Sequence, residues 1–170
     1  MTVRPARHDE AGDIAELWLE LVAYHQSLDP ALPLPAPDGD VSYGHFIMNR
    51  IERPDSLVLV AVNDRGVVVG YALTMMIDLV PETFEQQKAA FIADIYVQES
   101  ARRHGHGRAL YKAIVDWCAL NDLQTLELEV AAHNPAGRAF WQAMGGRELM
   151  VRMRAKVNTD DGNDETLSDG

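Results

Sequence analysis

The chain has 170 residues, of which 47% are apolar and 24% charged, and its formal net charge is −11. This length suits one domain, and the negative charge argues against nonspecific nucleic-acid binding, which needs an excess of Lys and Arg. Cys118 is the single cysteine and excludes an internal disulfide, and no run of about 18 apolar residues is present to span a membrane. We therefore expect a cytoplasmic protein without nucleic-acid or membrane partners.

The spacing of apolar residues in the first part of the chain predicts strands and helices. In chain order, the predicted elements are a strand at 2–6, a helix containing 14–25, a proline-containing loop at 29–40, a helix at 42–51, strands at 56–62 and 67–77, a polar connection at 78–88 and a strand at 90–97. Turn residues lie between Asn63 and Gly66, so the two strands that flank them are predicted to form an antiparallel hairpin.

The remaining elements complete a mixed α/β domain. They are a helix from Gly107 to Asn121, a strand at 125–130, a helix capped by Asn134 and ended by Gly145, and a last strand at 148–157. We predict a single domain over 1–157 and an acidic, disordered tail over 158–170. The order lacks the regular alternation of a doubly wound sheet and so favours the mixed α+β type.

The segment between the strand at 90–97 and the next helix reads Arg-Arg-His-Gly-His-Gly over 102–107. A helix N-terminus presents unpaired N–H groups and a partial positive charge, and glycine lets the backbone approach a phosphate closely. A Walker loop does not fit, and Leu110 stands where a dinucleotide fingerprint needs its third glycine. The segment predicts an anion site, with a simple tight turn as the alternative.

This segment resembles the pyrophosphate loop of the GCN5-related N-acetyltransferase (GNAT) superfamily, whose pattern is Q/R-x-x-G-x-G/A after the fourth strand. Arg102, Gly105 and Gly107 occupy its fixed positions. The strand at 91–97 and Asn134, ahead of the next helix, also resemble family elements. The resemblance covers most of the chain except the tail. It implies a GNAT-like fold: a central, mostly antiparallel twisted sheet with splayed strands four and five, flanked by about four helices.

The same resemblance implies that acetyl-CoA is the co-substrate. The implied cofactor-binding residues lie in the loop, in the strand before it and around the later helix: Ile95, Tyr96, Val97, Arg102, Arg103, His104, Gly105, His106, Gly107, Arg108, Asn134 and Trp141. Main-chain groups of the strand would pair with the pantetheine arm, and the slot between strands four and five would hold the thioester. Arg103 as a plain surface charge and Asn134 as a plain helix cap are the alternatives.

Transfer to an amine needs a group that takes a proton from the acceptor. Asp94 is the only acid on its strand, although some family members place the acid one position earlier, where Ala93 stands. His133, with an ordinary pKa of about 6.5, is the second candidate for a catalytic role. Structural roles remain the alternative for both.

A tyrosine that many family members use as general acid is replaced here by Trp141. The indole cannot donate a proton in that role, which puts the tyrosine-acid mechanism in doubt. Because a thiol has a pKa of about 8.5, thiolate can leave without full protonation. Tyr96 and Tyr111 are the candidate substitutes.

The acceptor pocket is implied to form from the first two helices and the loop between them, with Tyr24, His25 and Tyr43 as candidate substrate-binding residues. The hypothesis is direct acetyl transfer to a primary amine of a small molecule, such as a polyamine, an amino acid or an aminoglycoside. Alternatives are a noncatalytic acyl-CoA-binding or regulatory module, a peptide N-terminal acetyltransferase, and an ATP-binding protein. We expect no metal site, because the histidines lack zinc-type spacing, and the family resemblance is compatible with a homodimer.

Overall fold

The computed structural model describes residues 1–78, 83, 85 and 87–155. Within these residues the strands are β1 (Thr2–Pro5), β2 (Ser56–Val62), β3 (Val68–Asp78), β4 (Lys88–Val97) and β5 (Leu126–Leu128). The α-helices are α1 (Ala11–Leu28), α2 (Gly39–Ile51), α3 (His106–Leu120) and α4 (Pro135–Ala143). Short 3-10 turns occupy His8–Glu10 and Glu99–Ala101. The predicted tail at 158–170 and part of the predicted connection at 78–88 lie outside the described residues.

The sheet has the strand order β1-β2-β3-β4-β5 and is antiparallel except for the parallel pair of β4 and β5. Side chains of a strand alternate between the two faces, so each face builds its own core. One core joins β2 and β3 to α1 and α2, with Ile14 and Ile47 fully buried. The other core joins the sheet to α3 through Leu110 and Ile114. The predicted mixed fold is therefore confirmed.

A β-bulge interrupts β4 and determines where the sheet opens. Leu73 pairs with Asp94 and Thr74 pairs with Ile92, which leaves Ala93 as an extra residue in β4. The ladder between β4 and β5 runs only from Ala90 to Ile92 and ends at this bulge. The two strands part beyond it, as predicted for splayed strands four and five.

The last predicted strand, at 148–157, is wrong over its described part. Residues 148–155 form no strand, and positions 156 and 157 lie outside the described residues. A strand needs a neighbour that offers free N–H and C=O groups, and β5 pairs over only three residues rather than the six predicted. Apolar side chains of this segment stay exposed: Leu149, Met150, Val151 and Met153.

Two helices begin earlier than predicted because left-handed residues end the loops before them. Asp38 has a φ of 55° at the N-cap of α2, which starts at Gly39 instead of Ser42. Gly105 has a φ of 86° at the N-cap of α3, which starts at His106 instead of Gly107. The second shift matters for function, because it sets which backbone amides the turn exposes.

Gly70 is predicted to be required for the close pairing of β3 with β4. A Cβ atom at this position would lie 2.7 Å from the Tyr96 carbonyl oxygen, so Gly70→Ala must displace backbone at the end of β4. We expect a loss of about 1–3 kcal/mol in the free energy of unfolding, measured by urea denaturation. Gly12→Ala is the matched control, since its Cβ would meet no atom within 4 Å. Equal stability of the two variants would contradict the register described above.

Candidate active site

The turn before α3 presents free backbone amides at a helix N-terminus. Arg103 and Gly105 both have left-handed backbone, with φ of 63° and 86°. The Ala109 N–H donates to the Gly105 carbonyl at 3.0 Å and is the first amide of the helix to bond within it. The N–H groups of residues 106–108 precede it and therefore have no helical acceptor. Together with the helix dipole they give this turn the backbone geometry that an anion site needs, and binding of an anion here stays a prediction.

Side chains of this turn divide between its surface and its interior. Arg103 and Arg108 are exposed, whereas the His106 ring is buried and its Nδ1 atom has no hydrogen-bond partner. Burial lowers the pKa of His106, followed by the charge of the N-terminus. His104 contacts the Arg102 carbonyl through Nδ1 at 2.8 Å. An anion would therefore meet the amide of His106, with the two exposed arginines as the nearby cations.

Arg102 points back to the end of β4. Its Nε donates to the Val97 carbonyl at 3.0 Å. Its Cζ atom lies 5.0 Å from the ring centre of Tyr24 and 5.5 Å from that of Tyr96, which is within the range of cation–π contacts. The guanidinium thus joins β4 to α1, a contact that no pattern in the sequence predicts.

Beyond the bulge, no strand of the described residues pairs with one edge of β4. The Gln98 N–H donates to the Val69 carbonyl, so alternate residues before it also face β3. Backbone groups of Ile95 and Val97 consequently face the other edge, from which β5 has parted. An extended ligand can pair with these groups as a strand would, which is the role that the sequence predicts for residues 95–97.

Asn134 and Tyr24 meet where α4 begins. The Asn134 Oδ1 atom accepts the Gly137 N–H at 2.9 Å, which caps α4, and the Tyr24 hydroxyl at 3.2 Å. Tyr24 therefore lies beside Arg102 and Asn134, and its ring centre is 6.2 Å from that of His25. Trp141 packs edge-on against Tyr111, with ring centres 5.9 Å apart.

A partly buried cluster of one carboxylate and two tyrosine hydroxyls lies on the α1–α2 face of β4. The Tyr43 hydroxyl donates to Asp94 Oδ2 at 2.8 Å and lies 3.3 Å from the Tyr71 hydroxyl. The Tyr43 ring stacks on Trp18 with centres 4.8 Å apart and planes within 11°. The sequence analysis missed Trp18 and Tyr71 because both fit ordinary core positions of a helix and a strand.

Two opposing effects set the proton affinity of this cluster. Burial raises the pKa of Asp94, while the hydrogen bond from Tyr43 and the nearby His25 lower it. Burial also lowers the pKa of His25, and the charge of Asp94 opposes that shift. Burial, followed by the Asp94 charge, raises the pKa of Tyr43, which keeps its hydroxyl protonated as a donor.

The bulge puts Ala93 and Asp94 on the same face of the sheet. Ala93 packs against the core formed with α1 and α2, and Asp94 reaches Tyr43 of α2. Ile92 and Ile95 on either side belong to the opposite core. Strict alternation would have separated positions 93 and 94, so an acid one position later than in some relatives still faces the same site.

The other proposed proton carriers are engaged elsewhere. His133 is exposed and its Nδ1 lies 3.3 Å from Asp29 Oδ2, away from the hydrogen bonds of Asp94. The Tyr96 hydroxyl donates to Glu20 and the Tyr111 hydroxyl to the Met144 carbonyl, each at 3.2 Å. Asp94 is thus the candidate that the structure brings to a cavity.

That cavity has a volume of about 220 Å³ and lies between α1 and the loop that leads to α2. Its lining consists of Trp18, Leu21, Val22, His25, Leu32, Pro33, Leu34, Pro35 and Asp94. A larger hollow of about 380 Å³ lies between α1 and the β2–β3 turn and is lined by several carboxylates. Of these two, the smaller cavity is the one that Asp94 lines. The candidate active site is therefore at the smaller cavity and not at the larger hollow.

Comparison with known proteins identifies the class of this fold and site. The model of the Acetyltransferase (GNAT) family matches residues 21–145, which is more than half of the chain. The chain therefore belongs to the GNAT acetyltransferase family. Acetyl-CoA is the acetyl donor that this family uses.

Three proteins illustrate how the chain relates to others. The [ribosomal protein bS18]-alanine N-acetyltransferase of Escherichia coli is 33% identical over 78 residues, which are 46% of this chain and 52% of that protein. The chain thus spans about half the length of this curated relative. The tetramutant of the BH1408 protein from Bacillus halodurans has a TM-score of 0.82 and 22% identity, covering 92% of this chain and all of that one.

The third is the aminoglycoside N-acetyltransferase AAC(6')-Iy in complex with CoA. It has a TM-score of 0.68 and 17% identity, covering 92% of this chain and 93% of that chain. At these identities the two solved structures show the fold alone. Among the described residues, no helix is long and apolar enough to cross a membrane, and no group of three or more His, Cys, Asp or Glu could hold a metal ion.

Removing the charge of Asp94 and removing that of Glu10 are predicted to change the stability of the fold in opposite directions. Burial raises the pKa of Asp94 in the folded state above its ordinary value of 3.8. The free energy of unfolding therefore falls as pH rises from 3.8 to the folded-state pKa, because the folded protein resists ionisation of this carboxyl. Arg4 donates to both carboxylate oxygens of Glu10 and lowers the pKa of Glu10 below 4.5. The stability that this ion pair contributes is therefore lost as pH falls through the folded-state pKa of Glu10. At pH 7 we expect Asp94→Asn to raise the melting temperature and Glu10→Gln to lower it. A lower melting temperature for Asp94→Asn would contradict the burial cost.

Proposed function

We propose that this chain transfers the acetyl group of acetyl-CoA to the primary amine of a small molecule by direct attack. The observation that carries the proposal is that β4 connects a buried carboxylate to an amide-lined turn. Asp94 lies three positions before Val97, roughly 10 Å along the strand, and the turn follows directly. A ligand paired with the open edge of β4 would place its two ends at these two groups.

The residues present fit the coenzyme. The amides of residues 106–108 and the exposed Arg103 and Arg108 would hold its diphosphate, as an N-terminal anion site does. The free edge at Ile95 and Val97 would pair with the amides of its arm. Asn134 uses Oδ1 for Gly137 and Tyr24, so its Nδ2 remains to donate to a carbonyl of that arm.

Asp94 would accept the proton of the acceptor ammonium. Its raised pKa brings the carboxylate closer to the working pH, as suits a general base. The neutral amine nitrogen then forms a bond to the thioester carbonyl carbon, the carbon–sulfur bond breaks, and its electron pair leaves on sulfur. The acylated nitrogen loses its extra proton to water or to the departed thiolate, which leaves a neutral amide. With Tyr96 and Tyr111 engaged, the sulfur leaves as thiolate, which a thiol pKa of about 8.5 permits.

A second candidate function is acetylation of a peptide N-terminus. It is favoured by the 33% identity to the bS18-alanine N-acetyltransferase over about half of each chain. An N-terminal amine has an ordinary pKa of about 7.7–8.0, so it needs less help from a base than an alkylamine does. The buried carboxylate therefore supports the small-molecule amine first.

The test is acetylation by the purified full chain with acetyl-CoA, small amines and an alanine-initiated peptide, followed by thiol release and product mass. We expect acetylated small amines, with kcat reduced by about 10²-fold or more in Asp94→Asn. Coenzyme A binding of that variant should be unchanged. Binding without turnover of any acceptor would instead indicate a noncatalytic acyl-CoA-binding module.

Charge reversal in the first turn of α3 is predicted to separate ligand binding from folding. Arg108→Glu places an acid at the helix N-terminus, which favours the free helix by about 0.3–1 kcal/mol but repels a diphosphate. We expect coenzyme A affinity, measured by calorimetry, to fall at least about tenfold. Lys112→Glu carries the same charge change one turn later and is the control. Equal effects of the two variants would contradict an anion site at this N-terminus.

Tyr43→Phe is predicted to shift the acid limb of the pH–rate profile. Its hydroxyl lowers the pKa of Asp94 through their hydrogen bond, so its removal raises that pKa. The carboxylate must be ionised to accept a proton, and activity is therefore lost at a higher pH in the variant. Tyr111→Phe, whose hydroxyl bonds the Met144 carbonyl, should leave the limb in place. An acid limb that moves to lower pH would refute the assignment of Asp94.

A further inference from the structure

We infer that the acceptor is an amine with a single positive charge on a compact apolar or aromatic body, and not a polyamine or an aminoglycoside. This inference rests on the proposed function and names the substrate class of the same site. The observation behind it is the cavity beside Asp94, whose walls combine one carboxylate with mostly apolar side chains.

The charges of the cavity match one ammonium group. Asp94 is the one acidic residue among the nine that line it, and the other titratable lining residue is His25. Burial favours the neutral form of His25 by lowering its pKa, so the ring neither repels nor neutralises a cation. A second ammonium on the same substrate would enter the cavity without a counter-ion and lose its hydration there. The electrostatics therefore select against a polycation.

The walls of the cavity suit an apolar or aromatic body. Trp18 forms one side of the cavity. Its indole stacks on the ring of Tyr43 and packs closely against Gly39, where a Cβ atom would lie 3.3 Å from the indole. The loop at 32–35 forms the other side. Gln26 holds that loop in place by donating to the carbonyls of Leu32 and Pro33. A flat or branched apolar group would be covered on both sides.

Tyr43 fixes the distance between the apolar wall and the carboxylate. The face of its ring stacks on Trp18, and its hydroxyl donates to Asp94 Oδ2 at 2.8 Å. The amine and the body of a substrate are thus recognised by groups that cannot move independently. This arrangement favours a short spacing between the amine and the body over a long flexible chain.

The size of the cavity sets an upper limit on the enclosed part of the substrate. A volume of about 220 Å³ is below the range of roughly 300–1,000 Å³ that is usual for drug-sized ligands. It corresponds to the space of about seven water molecules. A molecule of several amino-sugar rings would leave most of its polar surface outside and gain little from the walls.

The test compares kcat/KM of the full chain for four acceptors with acetyl-CoA: 2-phenylethylamine, spermidine, kanamycin and an alanine-initiated tripeptide. We expect 2-phenylethylamine to exceed each of the others by about tenfold or more. Spermidine, kanamycin or the tripeptide as the best acceptor would overturn the inference while the acetyltransferase function stands. Coenzyme A binding with no acetylation of any acceptor would overturn both.

A matched pair of variants tests whether charge in this cavity sets the preference. Leu34 lines the cavity and is 74% exposed, so Leu34→Glu adds a carboxylate there without disturbing the core. We expect the ratio of kcat/KM for spermidine to that for 2-phenylethylamine to rise about tenfold or more. Leu120→Glu, at a site 84% exposed at the end of α3, carries the same change in net charge and should leave the ratio unchanged. The same ratio in both variants would refute the inference.

Discussion

The extra residue in β4 is the constraint on which the rest of the site depends. Ala93 has no counterpart in β3, and the ladder to β5 ends just before it. A bulge bends its strand and disrupts pairing locally, which frees the edge at Ile95 and Val97. The same extra residue turns Asp94 toward α1 and α2, where Tyr43 meets it. One local irregularity thereby produces both an open strand edge and an acid beside it.

Asp94 lowers the stability of the fold, whereas the exposed amides before α3 do not. Ionised Asp94 is partly buried and receives a hydrogen bond from a tyrosine, with no Lys or Arg among its hydrogen-bond partners in the described chain. Glu10 is more deeply buried, at 4% exposed, but its charge is paired with Arg4. By contrast, the amides before Ala109 belong to an ordinary helix terminus that water can solvate.

Much of the fold could be predicted from the sequence because its elements are strongly patterned. The helix periodicity around Ile14 and the pattern 102–107 located α1 and the turn before α3 to within a residue or two. The bulge could not be predicted, since residues 90–97 show no irregularity in type. The predicted strand at 148–157 failed because a strand depends on its neighbour, and β5 is short. Contacts between distant elements, such as Tyr24 with Asn134, leave no trace in spacing.

In the proposed function, Tyr43 affects both the acceptor cavity and the general base, because it stacks on Trp18 and donates a hydrogen bond to Asp94. A replacement at that position would alter both the shape presented by Trp18 and the proton affinity of Asp94. Divergence toward new acceptors is therefore expected to proceed through the loop at 32–35, whose residues touch the cavity and make no hydrogen bond to the carboxylate. Variation among homologues should accordingly concentrate in that loop, with Tyr43 and Asp94 retained or exchanged together.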